Sequence, residues 1–287
     1  MSKSNFERFI RNVEYSKHCI HCEGLDLSIK DPKHHPSYEI TTSCNLNCVY
    51  CYSRVALLNG TAPRPGYYGD ENPRAITISQ YGEPLLIGVK KVAYIIKRLR
   101  EIFGDVRIDL QTNGTVDFSE LNGLVDLAMV SLDSSNPDLY KRITGKNLFG
   151  IVIKNIEKST DAGITTIVRS VYLPGINDDN IIELSKILKE IGVHEMFVQP
   201  CSVYNEFKDK LISMGFDMER AESIYDFLKV VYRCSLNLKT VIPGCMAVIL
   251  KEILKQIDVN DLRFVKRRII AIHPPRIKRN WRFTIEV

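Results

Sequence analysis

The sequence predicts an α/β protein whose strand–helix units repeat around a parallel sheet. Three observations predict it. Short apolar runs with strand character alternate with longer segments of helical spacing, and six such strands can be counted. No apolar run reaches the 18 residues that a membrane span requires, so no membrane partner is expected. At 287 residues, with 45% apolar and 25% charged side chains, the chain has the length for one large domain with extensions and the composition of an ordinary soluble globule.

The elements follow in chain order. An amphipathic helix carries Phe6, Phe9, Ile10 and Val13, and residues 1–17 mix charges of both signs without the apolar stretch of a secretory signal. Cys19 and Cys22 then form a C-x2-C pair flanked by His18 and His21. Residues 38–41 read as the first strand. The stretch from Gly60 to Gly69 is rich in Pro, Gly and Tyr, which predicts irregular backbone: a lid beside the preceding loop, or an ordinary surface connection. Residues 75–79 read as a strand, and 85–103 as a helix with Val89, Val92, Ile96 and Leu99 at helical spacing. Strands at 106–110 and 127–132 precede a helix over 151–162. A strand over 165–171, a helix over 178–191 that starts at Asn177-Asp178, and a strand over 196–199 complete the series. Right-handed crossovers between six such units give either an open doubly wound sheet or a partial barrel. The organisation expected is an N-terminal extension (1–36) bearing the C-x2-C pair, a core (37–203), and a helical, then basic, C-terminal extension (204–287).

The cysteines carry the chemistry. Eight thiols in a chain of this length are too few for a secreted disulfide scaffold, and their clustering points to metal binding in a reducing compartment, hence the cytoplasm. Cys44, Cys48 and Cys51 follow the first strand as C-x3-C-x2-C. Three thiolates on one loop can face a single centre, and an iron–sulfur cluster suits them best. Zinc would need a fourth ligand, and zinc loops more often use two C-x2-4-C pairs. A ferredoxin run would need a cysteine where Val55 stands.

This loop, with Tyr50 before its third cysteine, resembles the cluster loop of the radical S-adenosylmethionine (SAM) enzymes. Further matches fall in the family's order. Gly82-Glu83-Pro84 resembles the GGE motif, although Tyr81 stands where a first glycine is frequent. Thr112-Asn113-Gly114 resembles the T-N-G of many members, and Val130 to Ser134 the V-S-L-D-S run. The resemblance covers residues 37–203. It implies a (β/α)6 partial TIM-like barrel with N- and C-terminal extensions and its active site at the C-terminal strand ends, where parallel α/β folds generally bind ligands. It also implies a [4Fe–4S] cluster on Cys44, Cys48 and Cys51, with SAM chelating the fourth iron. Reductive cleavage of SAM would then give methionine and a 5′-deoxyadenosyl radical that takes hydrogen from a substrate. The contacts implied for SAM are Tyr50 near the adenine, Gly82 and Glu83 at the ammonium, Thr112 at the carboxylate, Ser131, and Asp133 at the ribose or on the substrate side. Arg169 could neutralise a carboxylate, but only one of Arg169 and Ser170 should point inward, because side chains alternate along a strand.

The expected partners are an unidentified small molecule or cofactor precursor and an electron donor such as flavodoxin or ferredoxin. A second reading directs the same chemistry at RNA or a protein side chain. A third is a non-enzymatic zinc-binding module. Cys19, Cys22, Cys234 and Cys245 form a candidate set for a second iron–sulfur cluster or a zinc ion, against a plainer reading as two exposed thiols and two buried ones. Cys201, at a strand end, is either a substrate-facing thiol or a small core residue. From Arg263 to Arg282 there are eight Lys or Arg and no Asp or Glu, within a formal net charge of +5. Such a patch suits RNA or a phosphorylated partner, or is a solvated face. Its aromatic interleaving is thin, so nucleic acid is not the expected partner.

Overall fold

The computed structural model describes residues 3–287. Nine strands form one sheet: β1 (Ser37–Glu39), β2 (Gly66–Tyr68), β3 (Ala75–Ile78), β4 (Arg107–Thr112), β5 (Leu127–Ser131), β6 (Thr166–Tyr172), β7 (Glu195–Pro200), β8 (Thr240–Val241) and β9 (Trp281–Phe283). Their order is β8-β7-β6-β5-β4-β3-β1-β2-β9. From β8 to β1 every pairing is parallel, whereas β2 and β9 add antiparallel at the far edge. All six strands expected from the sequence are present in a partial barrel. Strands β2, β8 and β9 are additions that the periodicity did not disclose.

The helices are α1 (Lys3–Arg11), α2 (Tyr52–Leu58), α3 (Val89–Phe103), α4 (Pro137–Thr144), α5 (Phe149–Asp161), α6 (Asp178–Glu190), α7 (Asn205–Ser213), α8 (Met218–Glu222), α9 (Ile224–Ser235) and α10 (Gly244–Ile253). The amphipathic stripes of α3, α5 and α6 bury Val92, Ile96, Val152, Ile156, Ile181 and Leu184 against the convex face of the sheet. Helix α1 lays Phe6 edge-on against Tyr225 and Tyr232 of α9. Most of the segment read as irregular backbone, residues 60–65 and 69, is irregular, but Gly66–Tyr68 forms the edge-side strand β2. Tyr67 of β2 is fully buried and pairs with Tyr38 and Phe283, so no lid forms there.

Period-two alternation builds the site. One face of the central strands joins the helix-packed core through Ala128, Val130, Val168, Met196 and Val198. The other face reads Leu127, Met129, Ser131 on β5, Ile167, Arg169 on β6, and Phe197, Gln199 on β7. Leu127, Met129, Ile167, Phe197 and Val241 pack together as a separate apolar cluster. The concave face is therefore apolar at its base and polar towards the C-terminal strand ends. The N-terminal segment crosses this face. Tyr15 pairs in parallel with Ile242 beside β8, Ser16 Oγ donates to Glu195 of β7 at 2.7 Å, and His18 Nδ1 meets Asp109 of β4 at 2.8 Å.

Candidate active site

The loop between β1 and α2 carries Cys44, Cys48 and Cys51. Its backbone is pinned from three sides. Asn47 and Val49 donate their amides to the Thr144 and Ile143 carbonyls at the end of α4, at 2.7 and 3.0 Å. Asn45 donates to Thr115 at 2.9 Å, and the Glu83 amide donates to the Ser43 carbonyl at 2.9 Å. Gly82 holds φ +65°, and a Cβ there would stand 2.2 Å from the Thr41 carbonyl oxygen. Only glycine lets the turn after β3 pass so close beneath the cysteine loop.

The three thiols suit a cationic centre. The Leu46 amide and the Asn113 side-chain amide lie 3.5 and 3.6 Å from Cys44 Sγ as donors, which favours a thiolate. Burial raises the pKa of Cys44 and, further, of Cys48. Cys51, Asp133 and Cys44 push Cys48 the same way, because the neighbouring negative charges repel. A bound cation inverts that balance and ionises coordinating thiols.

These cysteines face a cavity of about 610 Å³ at the C-terminal ends of the parallel strands. Its walls bring together Tyr50, Gly82, Thr112, Ser131, Asp133 and Arg169, as the sequence analysis expects. Arg169 is the inward member of its pair. Its guanidinium spans three strands, donating to Gln111 Oε1 and Ser131 Oγ, both at 3.0 Å. Ser170 points away and donates to the Leu132 carbonyl. Tyr50 donates its hydroxyl to the Asp133 carboxylate, which also accepts the Val171 amide at 2.7 Å. Burial pushes Asp133 up to about 6, against the opposing pull of those bonds and of Arg169.

Two expectations need correction. Glu83 does not line the cavity. It is 1% exposed, and its carboxylate accepts the Leu85 amide (3.2 Å), the Thr112 hydroxyl (2.8 Å) and the Asn113 amide (2.5 Å). It clamps the turns after β3 and β4, and it leaves the neighbouring backbone to face a ligand. Cys234 is separated from the other candidate metal thiols: it is 0% exposed inside α9, packed in the main core beside Ser185. The basic end lies at the surface, as a solvated face would: Arg263, Lys266, Arg268, Arg276, Lys278 and Arg282 are exposed. Six of its eight cationic side chains hydrogen-bond within the chain: Arg263, Lys266, Arg267, Lys278, Arg279 and Arg282.

Cys201 is 3% exposed, as its reading as a small core residue expects. It is buried in an apolar cluster with Val203 and Leu211, yet it lies on the cavity wall. Burial pushes its thiol up to about 12. Sequence reasoning missed Gln111 and Gln199, which alternation along β4 and β7 could have supplied. It also missed Glu39, which is buried at the end of β1 and accepts the Gln80 and Tyr81 amides at 3.0–3.2 Å. Arg267 was noticed only as part of a charge run. Its guanidinium lines the cavity and donates to the Cys201 and Ala221 carbonyls.

Residues 38–188 match the family described as the radical SAM superfamily. An uncharacterized protein of Methanocaldococcus jannaschii is 41% identical over 257 residues, 86% of each chain. A probable GTP 3′,8-cyclase of Pyrococcus abyssi is 31% identical over 167 residues, 53% of this chain and 52% of its own, so the chain spans about half the length of that relative. Among solved structures, methylornithine synthase (PylB) superposes over 98% of this chain and 81% of its own with a TM-score of 0.54 at 13% identity, a likeness of fold.

Proposed function

The chain belongs to the radical SAM superfamily and is an enzyme with a [4Fe–4S] cluster and SAM as cofactors; from that premise we propose that it cleaves SAM reductively and uses the 5′-deoxyadenosyl radical to take hydrogen from a small anionic substrate. One observation carries this reading: the cysteine loop and two arginines without acidic hydrogen-bond partners share a single cavity. The zinc-module alternative falls with family membership.

Cys44, Cys48 and Cys51 would hold the cluster. When bound, the cluster would supply the single electron, drawn from an external reductant, that reductive cleavage of SAM requires. The protein's own part is positioning and dryness. Asn113 and the Leu46 amide stabilise Cys44 as a thiolate. Gly82 lets backbone polar groups approach the ligand, while Glu83 fixes the turn that presents them. Arg169, held by Gln111 and Ser131, would take the SAM carboxylate. Tyr50, oriented by Asp133, would lie against the adenine. The apolar base beneath Arg169 keeps water from the radical. An external reductant of the flavodoxin or ferredoxin type would reach the cluster from the exposed side of Cys44.

Hydrogen bonds from Arg169 and Arg267 go to neutral oxygens, so their charges are open to an anion. Six of the eight cations of the basic end already hydrogen-bond within the chain, which supports a small molecule over RNA. The relative named as a probable GTP 3′,8-cyclase makes nucleotides the first substrate class to test. With dithionite and SAM under anaerobic conditions, the reconstituted enzyme is expected to form 5′-deoxyadenosine and methionine, faster when the right nucleotide is added. Alanine at Cys44, Cys48 and Cys51 should abolish the reaction. Absence of 5′-deoxyadenosine from iron-loaded protein overturns the reading.

A further inference from the structure

The loop that carries Cys44, Cys48 and Cys51 separates two hollows. Cys44, Leu46, Cys51, Ser53 and Gly82 line the large cavity, and the same residues line a second hollow of about 270 Å³. Asn47, Arg54 and Leu57 line the second hollow alone. Ser43, Asn47 and Leu57 are exposed, so this smaller hollow opens to solvent.

The surface around that opening has an apolar centre and a basic rim. Helix α2 starts directly after Cys51 and leaves Leu57 and Leu58 48% and 68% exposed. The loop also abuts the end of α4, whose Ile143 and Thr144 carbonyls hold the Val49 and Asn47 amides. A Cβ on Gly145 there would stand 3.1 Å from Asn47 Cβ. Lys141, Arg142 and Lys146, on either side of this contact, are all exposed. Among the described residues, neither they nor Arg54 forms an ion pair, and Asp138, one turn earlier in α4, does not answer them. Exposed cations on other helices are answered by acids of the same helix: Arg98 by Glu101, Lys186 by Glu183 and Lys229 by Asp226. The dipole of α4 favours cations in its last turn, but Lys146 lies beyond the helix and Arg54 on another one.

We propose that this face docks an acidic one-electron carrier protein, with Leu57 and Leu58 at the centre of the contact and Lys141, Arg142 and Lys146 along its rim. An apolar centre inside a charged rim is the layout of a protein interface, and electron-transfer encounters bury less than about 1,200 Å². Cations without acidic partners steer a negatively charged surface towards the opening. Phosphates would answer the same charges, but the exposed side chains at the centre are leucines, which offer nucleic-acid bases no ring to stack on. The carrier loses one electron and the centre held by Cys44, Cys48 and Cys51 gains it; no bond between the two proteins forms. Because the loop separates the hollows, the carrier need not enter the substrate cavity. The proposal rests on the function above and locates the partner that function requires.

Amide hydrogen exchange of the iron-loaded enzyme, with and without oxidised flavodoxin or oxidised ferredoxin, reads docking without turnover. One of these carriers should protect residues 43–59 and 141–147 at about 50 mM salt, and the protection should vanish at about 500 mM. K141E/R142E/K146E should lose that protection. With SAM present, the ratio of carrier-driven to dithionite-driven 5′-deoxyadenosine formation should fall at least about tenfold in this variant. Leu58→Ser should weaken the protection and leave its salt dependence unchanged. Should the triple variant misfold, Lys146→Glu, outside any helix, and the salt series of the wild type decide. An unchanged ratio in the variant, protection confined to other segments, or protection of these segments by tRNA and by neither carrier overturns the proposal. Failure of dithionite itself to yield 5′-deoxyadenosine would sink the function above, while the exchange result would still decide the docking face.

Discussion

At the scale of single residues, one glycine governs the cysteine loop. Gly82 sits at positive φ with its α-carbon against the Thr41 and Ser43 carbonyls. An alanine there meets backbone 2.2 Å away, and no flexible side chain can yield. Gly82→Ala should therefore cost at least about 2 kcal/mol and displace the loop. The expected outcome is a lower melting temperature and a several-fold loss of iron retained after gel filtration. Iron content equal to wild type would refute the close-packing account. Glu83 next to it shows where motif reading stops. The sequence marks the acid but not its direction, and the Asn113 amide takes the oxygen that a ligand was expected to reach. Cys234 makes the same point: spacing offers a fourth thiol, and the helix phase of α9 buries it.

At the scale of elements, the central strands were legible because their inward and outward faces alternate and their flanking helices carry regular stripes. Strands β2, β8 and β9 have only two or three residues each, too few for a period, and pair at the sheet edges through contacts distant in sequence. Helix α2 follows the cysteine loop with seven residues, and chemistry rather than periodicity drew the reading there. The carboxylates that join elements were also invisible. Glu39 ends β1 and holds the turn that follows β3. Burial pushes its pKa from 4.5 up to about 7, against the pull of the Gln80 and Tyr81 amides. A raised carboxylate means that the folded chain binds the proton more tightly than the unfolded chain. Its stabilising contribution is complete below about pH 4.5 and is lost as pH rises through 7. Glu39→Gln should thus gain stability relative to wild type by about 2 kcal/mol between pH 5.5 and pH 8. Urea denaturation of paired samples at the two values measures it. His35 is depressed by burial and titrates in the opposite sense, so only the difference between the proteins isolates Glu39. A pH-independent difference would contradict the assignment.

At the scale of the whole molecule, the two ends of the chain close the open side of the partial barrel. The sequence treats them as appendages, because neither shows a core of its own. In the fold they meet. Arg279, with its side chain only 8% exposed, bonds to Glu23 of the N-terminal segment, to Asp70 beside β2 and to the His34 carbonyl. One guanidinium so ties together the C-terminal extension, the cysteine-bearing N-terminal turn and the antiparallel edge. Glu23 and Asp70 stay partly hydrated, at 30% and 68% exposed, so removing the guanidinium costs about 1.4 kcal/mol, mainly its charge-assisted hydrogen bonds. The strands that frame Arg169 do not depend on it. Arg279→Met should therefore speed amide exchange across residues 16–35 and 66–71 by roughly tenfold, the exchange equivalent of that free energy, while β4, β5 and β6 keep wild-type protection. Uniform acceleration throughout the sheet would mean that the ends belong to one cooperative unit with the barrel. Unchanged exchange in both segments would mean that the ion pairs hold nothing in place.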